Sequence, residues 1–194
     1  MAIKWTDASP VLRLARLPEP SAAPATAPGE ESATAPTAVT VAAPVPVQAV
    51  DVWIAPEVDR AVMAHLQTRD VEQGGLLVGQ PFAGATSEAV AHVRVTRCAP
   101  AEDADGTAFS LRMGTSVWQA AQALLGPGEM IVGWYHSHPG LTAFFSDTDR
   151  QTQRAFFNHP YSVGWVVDPL GGDEALFLGG ESIAVQRGPD RLQQ

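Results

Sequence analysis

The sequence is poor in cysteine and lysine, and each shortage excludes a class of site or partner. Cys98 is the only cysteine, so a disulfide within the chain and a metal site built from several thiolates are both excluded. Lys4 is the only lysine, and the 12 basic residues face 21 acidic ones, for a net charge of -9. A nucleic-acid-binding protein normally carries a clustered basic face, and this sequence has no such cluster. We therefore expect neither nucleic acid nor an anionic membrane surface as a partner.

Long apolar runs are also missing. No stretch approaches the roughly 20 apolar residues of a membrane span, and the first residues lack the charged and then apolar pattern of a secretion signal. The expected location is the cytoplasm. Hydrophobic residues nevertheless make up 45% of the 194 residues, enough for one domain with a sizeable core.

Residues 1–50 differ in composition from the rest of the chain. They hold half of the 16 prolines, and Ala, Ser and Thr are dense from Pro18 to Val47. Such a stretch buries little surface and has no periodicity, so it predicts a disordered Pro/Ala-rich tail and linker. A small apolar cluster precedes the linker, formed by Ile3, Trp5, Val11, Leu12, Leu14 and Leu17. It is either part of the disordered end or a docking peptide, for a protein partner or for the domain itself.

Residues 51–190 predict one α/β domain, a mixed β-sheet flanked by helices. Pro56 suits a first helical turn, and the residues Val58, Val62 and Leu66 then recur on one helical face. Thr115 is expected to cap a second helix, and Ser146 a third helix that ends near Phe157. Strands are expected at 71–79, 89–98, 130–135, 162–167, 175–178 and 183–186, with a polar loop at 99–110.

Two histidines at the end of a predicted strand suggest a metal site. His136 and His138 lie two residues apart, and because side chains alternate along a strand, both imidazoles leave the same face. Two neutral imidazoles side by side suit a divalent transition metal, zinc most often. Ser146 and Asp149 have the spacing of a helix N-cap and its third helical residue. A carboxylate fixed on that first turn could complete the site and leave a fourth tetrahedral position open, as in catalytic zinc sites.

These segments together resemble the JAMM (MPN+) zinc metalloproteases, a deubiquitinase-like family. The resemblance rests on V-E-Q-G-G-L-L-V-G, which contains Glu72, on G-W-Y-H-S-H-P and on S-x-x-D, and it covers nearly the whole predicted domain. It implies that His136, His138 and Asp149 bind one zinc ion per chain. It implies that Glu72 activates the water and passes a proton to the leaving amine, and that Ser146 hydrogen-bonds the oxyanion.

The resemblance also implies the substrate, and the composition suggests the source. The partner would be a ubiquitin-like protein or its conjugates, cleaved after the C-terminal glycine of the ubiquitin-like protein. The scarcity of lysine and the Ala/Pro-rich linker favour a bacterial member of the family.

Other interpretations stay open at this point. The same zinc site could hydrolyse a small amide, or the domain could be a metal-stabilised adaptor without catalysis. Phe144 and Phe145 either line the leaving-group side of the cleft or pack under the third helix. Trp134 and Tyr135 are expected in the core and the wall of the site. Three histidines are expected not to bind metal: His65, His92 and His159.

Overall fold

The computed structural model of the protein describes residues 14–18, 50–85, 88–102, 105–107, 110–112 and 114–193. Most of the predicted tail and linker, at residues 1–13 and 19–49, lies outside the described residues. None of the described helices is both long enough and apolar enough to span a bilayer.

The described chain forms ten strands and three helices. The strands are β1 (Ala15–Arg16), β2 (Asp51–Ile54), β3 (Gly74–Ala83), β4 (Val90–Pro100), β5 (Asp105–Thr107), β6 (Ser110–Arg112), β7 (Met130–Ser137), β8 (Val163–Val167), β9 (Glu174–Leu178) and β10 (Ile183–Arg187). The helices are α1 (Pro56–Leu66), α2 (Ser116–Ala123) and α3 (Asp147–Phe156).

The large sheet closes on itself. Its strands follow the order β3–β4–β2–β10–β9–β8–β7, and β7 then pairs back onto β3. Around this ring the β2–β4, β2–β10 and β7–β8 pairs are parallel and the other pairs are antiparallel. The eighth strand of the sheet, β1, pairs with β3 outside the ring. The predicted α/β class with a mixed sheet and flanking helices is therefore confirmed. Because the sheet closes, the backbone N–H and C=O groups along most strand edges are paired with a neighbouring strand of the same sheet.

Alternation along the strands gives the sheet two apolar faces. Leu77, Tyr135 and Val167 belong to the core beneath α1, which contributes the predicted face of Val58, Val62 and Leu66. Their sequence neighbours Leu76, Trp134 and Val166 belong to a second core, which is covered by α2 and by Phe157 at the end of α3. Each of these strands is buried on both faces, so it is a continuous apolar run rather than an alternating one.

Residues 14–18 differ from the prediction of a disordered segment. β1 pairs in parallel with the end of β3, with Ala15 opposite Phe82 and Arg16 opposite Ala83. Leu17 is buried against Phe82 and Ala91. The physical reason is that β7 pairs with β3 only between Gly74 and Gly79, so the rest of this β3 edge is free for another strand. The described part of the N-terminal apolar cluster thus packs on the domain itself.

Two further local predictions were wrong. The predicted polar loop at 99–110 contains the end of β4 and most of the β5–β6 hairpin. The reason is that Ala99, which is part of β4, and Ala101, just after it, are both buried in the second core. Thr115 occupies the N-cap position of α2 but its side chain makes no capping hydrogen bond. Its backbone is helical (φ -74°, ψ -21°), whereas a capping side chain needs an extended backbone.

Cys98 is half-buried on β4, near the strand end where the sequence predicts it. Burial raises the pKa of its thiol to about 11. The thiol is therefore protonated at neutral pH and is a poor nucleophile.

Leu17→Ala tests whether β1 belongs to the fold. Removing a buried leucine side chain costs roughly 2–5 kcal/mol, and Leu17 lies in a small cluster, so we expect a loss of about 2 kcal/mol in the free energy of unfolding. Denaturant titration of the full chain measures it. Leu125→Ala, at a leucine that is 40% exposed, is the matched control and should change the free energy little. Equal stability of the two variants would show that β1 contributes nothing to the fold.

Candidate metal centre

The candidate metal ligands come from two neighbouring elements. His136 lies near the end of β7, and His138 follows the strand, where its backbone N–H donates to the carbonyl of Val167 at 2.9 Å. Asp149 lies on the first turn of α3. All three side chains are buried, and one ligand atom from each lies within 4.8 Å of the others. His136 Nε2 lies 3.1 Å from Asp149 Oδ1, and His138 Nε2 lies 3.5 Å from Asp149 Oδ2.

A capping box fixes Asp149. The backbone N–H of Ser146 donates to Asp149 Oδ2 at 2.8 Å, and the backbone N–H of Asp149 donates to Ser146 Oγ at 3.2 Å. The Ser146 hydroxyl also donates to Asp149 Oδ2 at 2.7 Å. Ser146 thus caps α3 as the sequence predicts, and the box leaves Asp149 Oδ1 directed at His136.

The protonation states favour a metal. Burial lowers the pKa of His136 despite the nearby Asp149 carboxylate, so its imidazole is neutral at pH 7. Burial opposes ionisation of Asp149, yet the facing imidazoles and the Ser146 hydroxyl hold the pKa of its carboxyl well below its usual value. Neutral histidine and ionised carboxylate are the forms that bind a metal ion.

The donor set fits zinc. Neither ring nitrogen of His136 has a hydrogen-bond partner among the described residues, and neither does Nδ1 of His138. Buried polar atoms normally have a hydrogen-bond partner. A buried His136 Nε2 without one, next to a carboxylate, is expected if this nitrogen binds a metal ion. Tetrahedral zinc ligands at roughly 2.1 Å from the ion lie about 3.4 Å apart, close to the two distances from Asp149 to the histidines.

Glu72 lies beside this cluster. It is buried just before β3, and its Oε1 is 3.9 Å from His138 Nε2. Gln73 fixes the backbone there, since its N–H donates to Ser137 Oγ at 3.0 Å and its carbonyl accepts from the Ser137 N–H at 2.9 Å. Burial, with the charge of Asp149, raises the pKa of the Glu72 carboxyl, although His138 acts in the opposite direction. The structure therefore brings together all five residues that the sequence selects.

Asp168 is a residue of the site region whose part the sequence did not indicate. It lies just after β8, is 2% exposed, and accepts backbone hydrogen bonds of 2.9–3.1 Å from Gly140, Thr142, Leu170 and Gly171. Although burial opposes its ionisation, these N–H groups lower the pKa of Asp168 to about 2. Asp168 thereby ties the loop after His138 to the turn after β8.

That loop carries backbone strain. Thr142 has φ 67°, in the left-handed region that β-branched residues rarely adopt. Its N–H donates to Asp168 Oδ2 at 3.1 Å, which helps to hold the strained backbone in place. Strain of this kind persists only where the surrounding structure enforces it, and it clusters at functional sites.

The two phenylalanines before α3 have different environments. Phe145 is buried and stacks on Phe177, with ring centroids 4.1 Å apart. Phe144 is 45% exposed, and its ring lies 4.9 Å from that of His138. Of the two interpretations left open by the sequence, packing in the core applies to Phe145 and a place at the rim of the site to Phe144.

The other three histidines have separate contacts. His65 Nδ1 lies 2.9 Å from the Tyr135 hydroxyl, and His92 Nδ1 lies 2.6 Å from Asp51 Oδ1. His159 stacks on Tyr161.

Comparisons with known proteins agree with this geometry. A family model described as "Prokaryotic homologs of the JAB domain" matches residues 55–174. A protein named NAD(+) hydrolase TcpA, from Theionarchaea archaeon (strain DG-70-1), is 37% identical over 101 residues, which cover 52% of this chain and 28% of that protein. Ubiquitin carboxyl-terminal hydrolase RPN11 of Saccharomyces cerevisiae is 39% identical over 70 residues, covering 34% of this chain and 23% of that protein. The chain thus spans about a quarter of the length of these curated relatives.

The fold also resembles a solved structure. Protein DSY2949 from Desulfitobacterium hafniense superposes with a TM-score of 0.51 at 21% identity, over 66% of this chain and 83% of that chain. At this level of identity the likeness is one of fold alone. The family model, by contrast, spans more than half of the chain and includes the two histidines, the aspartate and Glu72. The protein therefore belongs to the prokaryotic homologs of the JAB domain, the JAMM/MPN family that its sequence resembles.

Proposed function

We propose that the protein is a zinc-dependent isopeptidase or peptidase that cleaves after the C-terminal glycine of a ubiquitin-like protein. The observation that carries the proposal is the buried Glu72 carboxyl, with its raised pKa, beside three convergent metal ligands. We assign this activity to residues 51–190.

His136, His138 and Asp149 would hold one zinc ion per chain. When bound, zinc polarises a scissile carbonyl and lowers the pKa of water to about 7. The ligands themselves provide orientation, since Asp149 is fixed by the capping box and His138 by its backbone bond to Val167.

Glu72 is proposed as the group that moves the proton. A carboxylate with a raised pKa takes a proton from the attacking water more readily than an ordinary one, and it then returns that proton to the leaving amine. Because Glu72 Oε1 lies 3.9 Å from His138 Nε2, the carboxyl is next to the ligands and can act within the site without binding the metal.

Ser146 is proposed as the donor to the oxyanion. Its hydroxyl donates to Asp149 Oδ2 at 2.7 Å, so the O–H must turn toward the substrate to fill this role. The Ser146 Oγ can still accept from the Asp149 N–H when it does so. The hydroxyl can therefore cap the helix through its oxygen, as an acceptor, while its O–H donates to the oxyanion.

Two observations support a polypeptide substrate. The yeast relative is named a ubiquitin carboxyl-terminal hydrolase. The β5–β6 hairpin pairs only with itself among the described residues, so its outer edges can accept an extended peptide as an added strand. On this proposal the partner is a ubiquitin-like protein or its conjugate, in a cytoplasmic setting.

The direct test uses ubiquitin fused through its C-terminal glycine to a reporter protein. We expect cleavage after that glycine, loss of cleavage with a chelator, and recovery when zinc is restored. Chelator-sensitive hydrolysis of a small amide without cleavage of the fusion would instead support the small-amide hydrolase. Zinc binding with neither activity would support the adaptor.

Metal content gives the next prediction. The purified protein should contain about one zinc ion per chain, and His138→Ala should lose most of it while the domain stays folded, because the two cores do not depend on the metal. Elemental analysis and circular dichroism measure these outcomes. His159→Ala, outside the site, should keep its zinc. Wild-type protein purified without chelators and free of any metal would contradict the assignment.

Glu72→Gln should separate metal binding from turnover. Removing a general base costs roughly 10²–10⁴-fold in rate, whereas zinc content should not change because Glu72 is not a ligand. Single-turnover cleavage of the ubiquitin fusion gives the rate. Glu57→Gln, at an exposed acid on α1, is the control and should cleave normally. A wild-type rate for Glu72→Gln would remove Glu72 from the mechanism.

Ser146→Ala distinguishes the two functions of this hydroxyl. Loss of an N-cap costs about 1 kcal/mol of stability, and loss of an oxyanion donor costs about 10²-fold or more in rate. We expect both effects, with the rate effect dominant. Thermal melts and single-turnover cleavage of the fusion are compared on the same sample. A variant that melts lower but cleaves at the normal rate would leave Ser146 only its capping role.

A further inference from the structure

The His136 imidazole packs against an aromatic neighbour. A histidine that binds a metal almost always donates its other ring N–H to a carboxylate, a carbonyl or water, and this bond fixes the plane of the ring. His136 Nδ1 has no such partner among the described residues. The Trp134 indole instead lies flat against the imidazole, with ring centroids 4.4 Å apart and planes 6° from parallel.

Trp134 is in turn held by Gln153. The indole N–H donates to Gln153 Oε1 at 2.6 Å. Gln153 is fully buried on α3, and its Nε2 donates to the carbonyls of Ser162 at 2.9 Å and Gly179 at 3.3 Å. These two carbonyls can only accept, so the amide has one satisfactory orientation, with its oxygen toward the indole.

The sheet leaves space for this arrangement. Gly164 on β8 is the register partner of Trp134. A Cβ at Gly164 would lie 2.9 Å from Gln153 Oε1 and 2.2 Å from Phe145 Cζ. Any larger residue there would displace the two side chains that flank the indole.

We propose that Gln153 is a positioning residue of the metal centre. It fixes the Trp134 indole, and the indole, which lies flat against the imidazole, sets the plane of the His136 ring. Removing Gln153 therefore weakens metal binding although the hydrogen bonds described for its side chain go to Trp134, Ser162 and Gly179 and not to a metal ligand. The inference rests on the metal site of the proposed function and is independent of the substrate.

The test is a double-mutant cycle read out by metal affinity. Gln153→Met removes the amide at similar volume, and Trp134→Phe keeps an aromatic ring but removes the N–H donor. Zinc affinity is measured by competition with a chromophoric chelator, and the visible spectrum of the cobalt(II)-substituted protein reports the ligand geometry. Gln151→Met, at an exposed glutamine of the same helix, is the matched control.

We expect Gln153→Met to weaken zinc binding by about 10–100-fold, as loss of partners outside the ligand shell does, and to alter the cobalt spectrum. In the Trp134→Phe background the same change should have little further effect on affinity, because the bond it breaks is already absent. Gln151→Met should match the wild type in both measurements.

Two results would overturn the proposal. If Gln153→Met lowers the melting temperature but keeps wild-type zinc affinity and cobalt spectrum, Gln153 only anchors α3. If the two substitutions weaken affinity additively, they act independently of each other. Gln153→Asn, whose amide is one methylene too short to reach the indole, serves as a second variant should Gln153→Met not fold. Failure of the wild type to bind zinc would contradict the proposed function instead.

Discussion

Strand β7 is hydrogen-bonded on both sides, and the candidate site depends on those two pairings. On one side it runs antiparallel to β3, so the start of β3 lies beside the end of β7 and brings Glu72 close to His138. On the other side it runs parallel to β8, so both strands end at the same edge. That edge places Asp168 beneath the loop that follows His138. The two pairings of β7 thus bring the Glu72 carboxyl and the Asp168 carboxylate, from segments far apart in sequence, to the end of the strand that carries the two imidazoles.

The two acids at the centre differ in their surroundings more than in their chemistry. Asp149 accepts hydrogen bonds from the Ser146 N–H and hydroxyl and faces two imidazoles. Glu72 is buried at a longer distance from one imidazole. The pKa of Asp149 is lowered and that of Glu72 is raised, although burial acts on both in the same direction. When the pKa values of two neighbouring carboxyls are shifted in opposite directions, one carboxyl stays ionised and the other can take up and release a proton.

Two pairs of residues in the site were predicted from short-range geometry, whereas Glu72 was selected only through the family resemblance. His136 and His138 share a face because a strand alternates, and Ser146 meets Asp149 because a capping box spans three residues. The predicted helix face and the mixed sheet follow from the same local periodicities. The hydrogen bonds from the loop after His138 to Asp168, and the one from Trp134 to Gln153, join residues 19–28 positions apart. No regular spacing along the sequence predicts such contacts. β1 was missed because two residues in a Pro-rich stretch have no pattern of their own and depend on the free edge of β3.

The attachment of β1 also has a consequence for how the N-terminal segment is held on the domain. Leu17 packs against Phe82 of β3 and Asp51 pairs with β4 as part of β2, so the residues on either side of positions 19–49 are both attached to the same domain. The contact of Leu17 with the domain is therefore intramolecular, and it benefits from the high local concentration that a covalent connection gives. A single peptide-bond cleavage between Pro18 and Val50 would make the same contact bimolecular. The described contacts of this segment are the two-residue strand pairing, the packing of Leu14 and Leu17, and the contacts of Arg16 with Gly84, Ala85 and Glu88. After such a cut, only these contacts would hold residues 14–17 on the domain and keep Phe82 covered.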